Sequence, residues 1–255
     1  MSLLEIKGLT KSFFGAHALS GASFNAEQGR ITGLIGPNGA GKTTLFNVVS
    51  GVMRADGGTV LFDGRDITNL KPNRITGAGL VRTFQIARGF PRLTVLENLM
   101  LYAPDNPGET LIGAIWPGSS ARGREADIRE AALRVAERLD LTRVIDNYAS
   151  DLSGGQKKLL EIGRAIMAKP KLILLDEPAA GVNPSLTKII AGHIRELARE
   201  GTSFLIIEHD MMLVRELCDP VIVMAEGRDF VTGSFAEIAA DPRVQEAYLG
   251  KRRWS

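Results

Sequence analysis

The chain has 255 residues, with 31 basic and 29 acidic side chains and a formal net charge of +2. So even a balance gives no general electrostatic pull toward nucleic acid, and no nucleic-acid partner is expected. The single cysteine, Cys218, excludes an intrachain disulfide and a cysteine-based metal cluster, while the length suits one large domain or a core with an inserted subdomain.

Short strands broken by glycine are expected over residues 3–6 and 18–24. Glu5 and Lys7 interrupt the apolar core that a signal peptide needs, and no later stretch is long and apolar enough to span a bilayer. A soluble protein is expected, with any membrane role running through a partner. Phe13 and Phe14 follow Lys11-Ser12 in a connection. An aromatic there either stacks on a nucleotide base or packs in the core beneath a loop.

Residues 30–35 read as a buried strand and residues 45–50 as a helix. Between them stands Gly36-Pro37-Asn38-Gly39-Ala40-Gly41-Lys42-Thr43-Thr44, in the strand, loop and helix context of a phosphate-binding loop. The three glycines permit positive φ and remove Cβ atoms, so backbone N–H groups can curl round an anion at a helix N-terminus. Lys42 supplies a positive charge for the β- and γ-phosphates, and Thr43 a hydroxyl for Mg²⁺.

Asp56-Gly57-Gly58 and Asp63-Gly64 punctuate a strand over 59–62. A mostly apolar run through Leu80, Val81 and Phe84 leads to Gln85, which alone carries no signal. From residue 86 to about 152 the pattern turns helical. Thr94 and Glu97 form a capping box for a helix reaching about Tyr102. Pro104, Pro107 and Pro117, with glycines between and after them, predict a long loop. Its apolar residues Leu111, Ile112, Ile115 and Trp116 imply that it folds back or meets another protein. A second helix is expected from about 124 to 140.

Leu152-Ser153-Gly154-Gly155-Gln156 reads as a helix start, with Ser153 as N-cap and Gln156 completing a capping box. The two glycines leave the positive helix end bare to a phosphate. Residues 171–177 are an apolar run ending in Asp176 and Glu177, the pattern of a strand buried in a parallel sheet, beyond whose carboxyl end ligands bind. In phosphate-loop NTPases the first acid at this place helps hold Mg²⁺; the second is placed to reach an attacking water. A strand over 203–207 ends in Glu208, His209 and Asp210, which puts His209 on the same sheet edge. A final hairpin over 220–232 and a short helix capped by Ser234 and Glu237 complete the expected elements.

The phosphate loop, Gln85, Leu-Ser-Gly-Gly-Gln, Asp176-Glu177 and His209, in this order and spacing, resemble the nucleotide-binding subunit of an ABC transporter over essentially the whole chain. The resemblance implies an α/β fold: a RecA-like phosphate-loop NTPase core over 1–85 and 156–255, with an N-terminal antiparallel β subdomain and an inserted helical subdomain over 86–155. It implies ATP and Mg²⁺ as cofactors. It also assigns roles: Phe13 stacks on adenine, residues 36–44 hold the phosphates, and Thr43, Gln85 and Asp176 serve the metal. Glu177 becomes the general base and His209 the γ-phosphate contact, with Gln85 sensing Mg²⁺ and water. Ser153, Gly154, Gly155 and Gln156 close over ATP held by a second ATPase subunit, identical or different.

Asn183 departs from the aspartate usual at its place, which keeps the geometry and removes a charge. Arg82-Thr-Phe-Gln85, the insert ahead of the signature, Ile207-Glu-His-Asp-Met211 and Ala247-Tyr-Leu-Gly250 resemble branched-chain amino-acid importers and their relatives more narrowly. That implies a polytopic permease, an external solute-binding protein and a cytoplasmic place on the inner membrane face. A lipopolysaccharide-export ATPase shares several of these features. A soluble ABC-type ATPase and a phosphate-loop kinase or GTPase are the more distant alternatives.

Overall fold

Two 12-residue strands open the chain, β1 (Ser2–Phe13) and β2 (Ala16–Glu27), longer than the short glycine-broken strands expected. They pair antiparallel, with Ile6 opposite Phe24 and Phe13 opposite Ala16, and register shifts absorb the irregular stretches. The computed structural model describes residues 2–83, 90–104 and 119–249. Its contacts divide into two units. One comprises Met1–Arg82, Lys171–Ala180 and Ile194–Ser255; the other comprises Thr83–Pro170 and Gly181–His193.

In the first unit β4 (Gly57–Phe62) adds to the free side of β1 and β5 (Arg65–Asp66) follows, giving the order β2-β1-β4-β5. Asp63 and Gly64, at φ 49° and 72°, form the two-residue turn the sequence predicted. The second sheet has the order β10-β9-β3-β8-β7-β6. It contains β3 (Ile31–Ile35), β6 (Leu80–Arg82), β7 (Leu172–Asp176), β8 (Ser203–Ile207), β9 (Val221–Ala225) and β10 (Arg228–Gly233). All pairings are parallel except β9 with β10. Strands β3, β7, β8 and β9 are buried at every residue, which is why their sequences are continuous apolar runs rather than alternating ones.

Helix α1 (Lys42–Val49) and the two sheets share one core, in which Phe46, Phe62, Leu4, Ile6, Leu174 and Leu205 are fully buried. The turn between β9 and β10 ties this arrangement together. Gly227 N–H donates to Ala40 O at 3.1 Å, and Ser20 N–H donates to Gly227 O at 2.8 Å. A Cβ on Gly227 would strike Ala18 O at 2.8 Å and the backbone of Leu19 and Ser20, so a residue able to adopt φ 79° without a side chain is needed there. Cys218 packs against Gly33, and burial pushes its thiol up to about 12, which leaves it protonated and inert at neutral pH. Helices α2 (Pro72–Gly77), α7 (Met211–Leu217), α8 (Phe235–Ala240) and α9 (Pro242–Leu249) complete this unit, and α8 carries the expected Ser234–Glu237 capping box.

The second unit contains α3 (Val95–Met100), opened by the predicted Thr94–Glu97 capping box, α4 (Ser119–Arg138) and α5 (Gly154–Met167). Helix α4 starts earlier than the expected residue 124 because Ser119, Ser120, Ala121 and Arg122 accept helical backbone, and Gly123 within a helix costs only about 1 kcal/mol. The second unit runs on past residue 155, through α5 to Pro170. Gly163 faces Leu99, Val135 and Leu139, so α5 packs closely on α3 and α4 and belongs with them. Helix α6 (Pro184–Arg199) is divided between the units at His193. The apolar loop segment containing Trp116 lies outside the described residues.

Phe62 is 1% exposed where the first sheet meets α1. Phe62→Ala is expected to destabilise the fold by about 3–5 kcal/mol, read as a lower denaturant midpoint with unchanged slope.

Candidate nucleotide-binding and hydrolysis site

The phosphate loop joins the carboxyl end of β3 to α1. Gly39 and Gly41 lie at φ 82° and 98°, and Gly41 is the residue before the helix. A Cβ on Gly36 would collide with Met224 O, and one on Gly41 with Ala18 O, whereas Gly39 faces open space. Two of the three glycines are therefore required by close packing against neighbouring strands, and Gly39 by its backbone conformation. Asn38 and Gly39 are exposed, Pro37 and Thr44 half-buried, and Ala40 buried.

The Lys42 ammonium donates to Gly36 O at 2.7 Å and Pro37 O at 3.0 Å. Burial pushes it below the usual lysine value, opposed by the negative charges of Glu177 and then Asp176. Lys42 is therefore close enough to both carboxylates at the end of the sheet to feel their charge. Thr43 is exposed on the first turn of α1.

Asp176 ends β7 with its side chain 1% exposed, and its Oδ2 accepts from Arg82 Nη2 at 3.1 Å. Glu177 follows at φ 50°, and its N–H donates to Ile207 O at 2.9 Å. Positive φ at a non-glycine residue is uncommon. His209 is exposed just beyond β8, and its Nε2 stands 3.0 Å from Glu177 Oε1. Lys42, Asp176, Glu177 and His209 are thus brought to one sheet edge, as the sequence predicted.

Phe13 is 39% exposed and Phe14 fully exposed at the β1–β2 turn, with Lys11 Nζ 5.7 Å from the Phe13 ring centroid. Neither packs in the core, so the core-packing alternative is removed and both rings are available for stacking. Gln85 lies outside the described residues.

In the second unit Ser153 Oγ accepts from Gln156 N–H at 3.3 Å, while Gln156 Oε1 accepts from Ser153 N–H at 2.9 Å. The predicted capping box is present, and it occupies the Gln156 side chain. Ser153 and Gly154 are exposed, and a Cβ on Gly154 would meet nothing. Gly155 is different: a Cβ there would run into the Leu186 side chain on the first turn of α6. Gly154 leaves the helix end open to an anion, while Gly155 makes room for Leu186. Asn183 caps that same turn, its Oδ1 accepting from Leu186 N–H at 2.9 Å. Asparagine therefore retains the capping geometry an aspartate would supply.

Three residues were not singled out from sequence as site residues. Glu208 is buried, and its carboxylate accepts from the N–H groups of Ala179, His209 and Asp210 at 3.0, 3.0 and 3.3 Å. It fixes the loop after Glu177 to the end of β8. Arg82 and Leu186 are the other two. For Glu208 and Arg82 the available signal was a charge directly after an apolar strand run, which most often marks only the strand's end; for Leu186 there was none.

A phosphate loop after β3, adjacent acids at the end of β7 and a histidine beyond β8, the strand between those two, define a phosphate-loop ATPase of the ABC cassette fold. A sequence profile described as ABC transporter matches residues 19–180, and a second, described as branched-chain amino acid ATP-binding cassette transporter, matches residues 231–253. The chain belongs to the ABC transporter ATP-binding family. It is 45% identical to the probable branched-chain amino acid transport ATP-binding protein LivG of Archaeoglobus fulgidus, over 98% of this chain and 96% of that one. It is 36% identical to the high-affinity branched-chain amino acid transport ATP-binding protein BraF of Pseudomonas aeruginosa, over 98% of each. A crystal structure of a nucleotide-free ATP-binding cassette from an ABC transporter superimposes with TM-score 0.85 at 40% identity, covering 98% of this chain and 100% of the other.

Gly155→Ala is expected to lower stability by about 1–3 kcal/mol through overpacking. Leu186→Ala in the same chain should recover most of that loss. Thermal unfolding of the single and double variants checks the pairing; additive losses would separate the two residues.

Proposed function

We propose that the chain is the ATP-binding and ATP-hydrolysing subunit that powers a membrane ABC importer for branched-chain amino acids or related small polar solutes. The observation that carries this reading is the convergence of Lys42, Asp176, Glu177 and His209 at one sheet edge. Full-length relatives named for branched-chain amino acid transport support import over lipopolysaccharide export. No helix among the described residues is long and apolar enough to cross a membrane. The partners in this reading are a polytopic permease that holds the protein on the inner membrane face, a second ATPase subunit, and an external solute-binding protein acting through the permease.

Nucleotide phosphates would lie along the loop from Gly36 to Thr44, with the adenine stacked on Phe13. The donor set fits a small hard cation, because one buried carboxylate and one threonine hydroxyl leave room for water and phosphate oxygens. Thr43, Asp176 and Gln85 would hold Mg²⁺, which neutralises phosphate charge when bound. Lys42 exchanges its carbonyl partners for phosphate oxygens.

Glu177 takes a proton from a water as that water attacks the γ-phosphorus; the bond to the β-γ bridging oxygen breaks, and ADP and phosphate leave. His209 steadies the Glu177 carboxylate and reaches the γ-phosphate. Ser153 and the open N-terminus of α5 at Gly154 would serve ATP bound by the second subunit, where helix-end N–H groups meet the charge developing on phosphate. Gly155 supports that surface, and Gln156 holds its cap.

Glu177→Gln is expected to bind MgATP, hydrolyse it about 10²–10⁴-fold more slowly and accumulate as a dimer. Wild-type turnover would remove Glu177 from its role. Expressed with its genomic neighbours and extracted from membranes in mild detergent, this variant should co-purify with a multi-spanning permease and a second ATPase, identified by mass spectrometry. Recovery only from the soluble fraction would sink the transport reading and leave the ATPase standing. Ser153→Arg should abolish hydrolysis and spare ATP binding by the monomer, measured by fluorescence titration; loss of monomer binding would reduce the signature to a helix cap.

A further inference from the structure

Arg82 closes β6, three residues before Gln85, and is almost wholly withdrawn from solvent together with its partner: the side chains of Arg82 and Asp176 are 8% and 1% exposed. Its guanidinium is held from three directions. Nη2 donates to Asp176 Oδ2 at 3.1 Å, and Nη1 donates to Asn47 Oδ1 at 2.6 Å and to Ser50 Oγ at 3.4 Å. Its Cζ atom lies over the Phe46 ring, 5.7 Å from the centroid. Phe46 and Asn47 belong to α1, and Ser50 caps its C-terminus, where a cation also complements the helix dipole. The opposite end of the same helix carries Lys42 and Thr43.

The arrangement has a cost that simple packing would avoid. Arg82 Nε is buried with no hydrogen-bond partner, and an apolar side chain would fill the same space without burying a charge or leaving a donor unpaired. What an apolar residue cannot do is orient a carboxylate. A planar guanidinium fork fixes the direction as well as the position of its acceptor, which a lysine point charge does far less well.

We propose that Arg82 is a positioning residue for Mg²⁺: it aims the Asp176 carboxylate and ties it to α1, so that the metal ligands carried by β7 and by the first turn of α1 keep one separation. This rests on the reading of Asp176 as a metal ligand.

The test measures affinity for a fluorescent ADP analogue, first in EDTA and then across a Mg²⁺ titration, with thermal unfolding to verify that each variant is folded. Arg82→Gln is expected to keep metal-free nucleotide affinity within about two-fold, while the Mg²⁺ concentration at half-effect rises about ten-fold or more. Arg82→Lys should fall between the two. Asn47→Ala, which keeps the charge of Arg82 and removes one anchor of its fork, should raise the midpoint in the same direction. A folded Arg82→Gln protein with the wild-type midpoint overturns the proposal. Should Arg82→Gln fail to fold, an unshifted Asn47→Ala does the same. Asp176→Asn separates the two levels of the argument. If it retains the wild-type Mg²⁺ dependence, the metal-ligand reading of Asp176 fails; if it loses that dependence while Arg82→Gln is unshifted, only the role of Arg82 falls.

Discussion

Complete burial of the central strands is the constraint on which the rest of this structure depends. Strands β3, β7 and β8 have no exposed residue, so side chains that do chemistry can stand only where the strands end. Because the three run parallel, their carboxyl ends fall on one edge. The phosphate loop follows β3 directly, Asp176 and Glu177 fall at the end of β7, and His209 stands two residues beyond β8. The pattern that lets the sheet fold therefore also delivers the candidate site residues to one place.

Charge at that edge is balanced within the protein itself. Lys42 and Arg82 stand against Asp176 and Glu177, and each buried member has a partner in place: carbonyl oxygens for Lys42, the guanidinium for Asp176. Breaking such a pair by removing one member is far more costly than the pair itself is stabilising. This explains why the neighbourhood is fixed by polar contacts rather than by apolar packing alone. Glu208 acts in the same way on the backbone, with one carboxylate satisfying three N–H groups of two loops.

The signature segment obeys a different rule in its own unit. A capping box needs only Ser153 and Gln156, yet two glycines stand between them. One is open to solvent and free for an anion to approach, and the other is occupied by Leu186. Leu186 sits in the turn that Asn183 caps, so the signature and the loop after Glu177 meet through a side chain and a glycine.

The sequence by itself determined what depends on neighbours along the chain. The phosphate loop, the caps at Thr94, Ser153 and Ser234, the two-residue turn at Asp63-Gly64, and the apolar runs of the buried strands are local patterns, each legible from a few consecutive residues. Tertiary structure alone decided the rest, because it depends on residues far apart in the chain. Nothing near residue 170 marks the boundary between the units, which follows from α5 packing on α3 and α4. Nothing in Leu80-Val81-Arg82 reveals that the guanidinium will meet a carboxylate 94 positions away, and no local pattern reserves Gly155 for Leu186. Short-range order is written in spacing and propensity. Which charge is buried against which, and which glycine makes room for which side chain, is settled only when the sheets and helices close on one another.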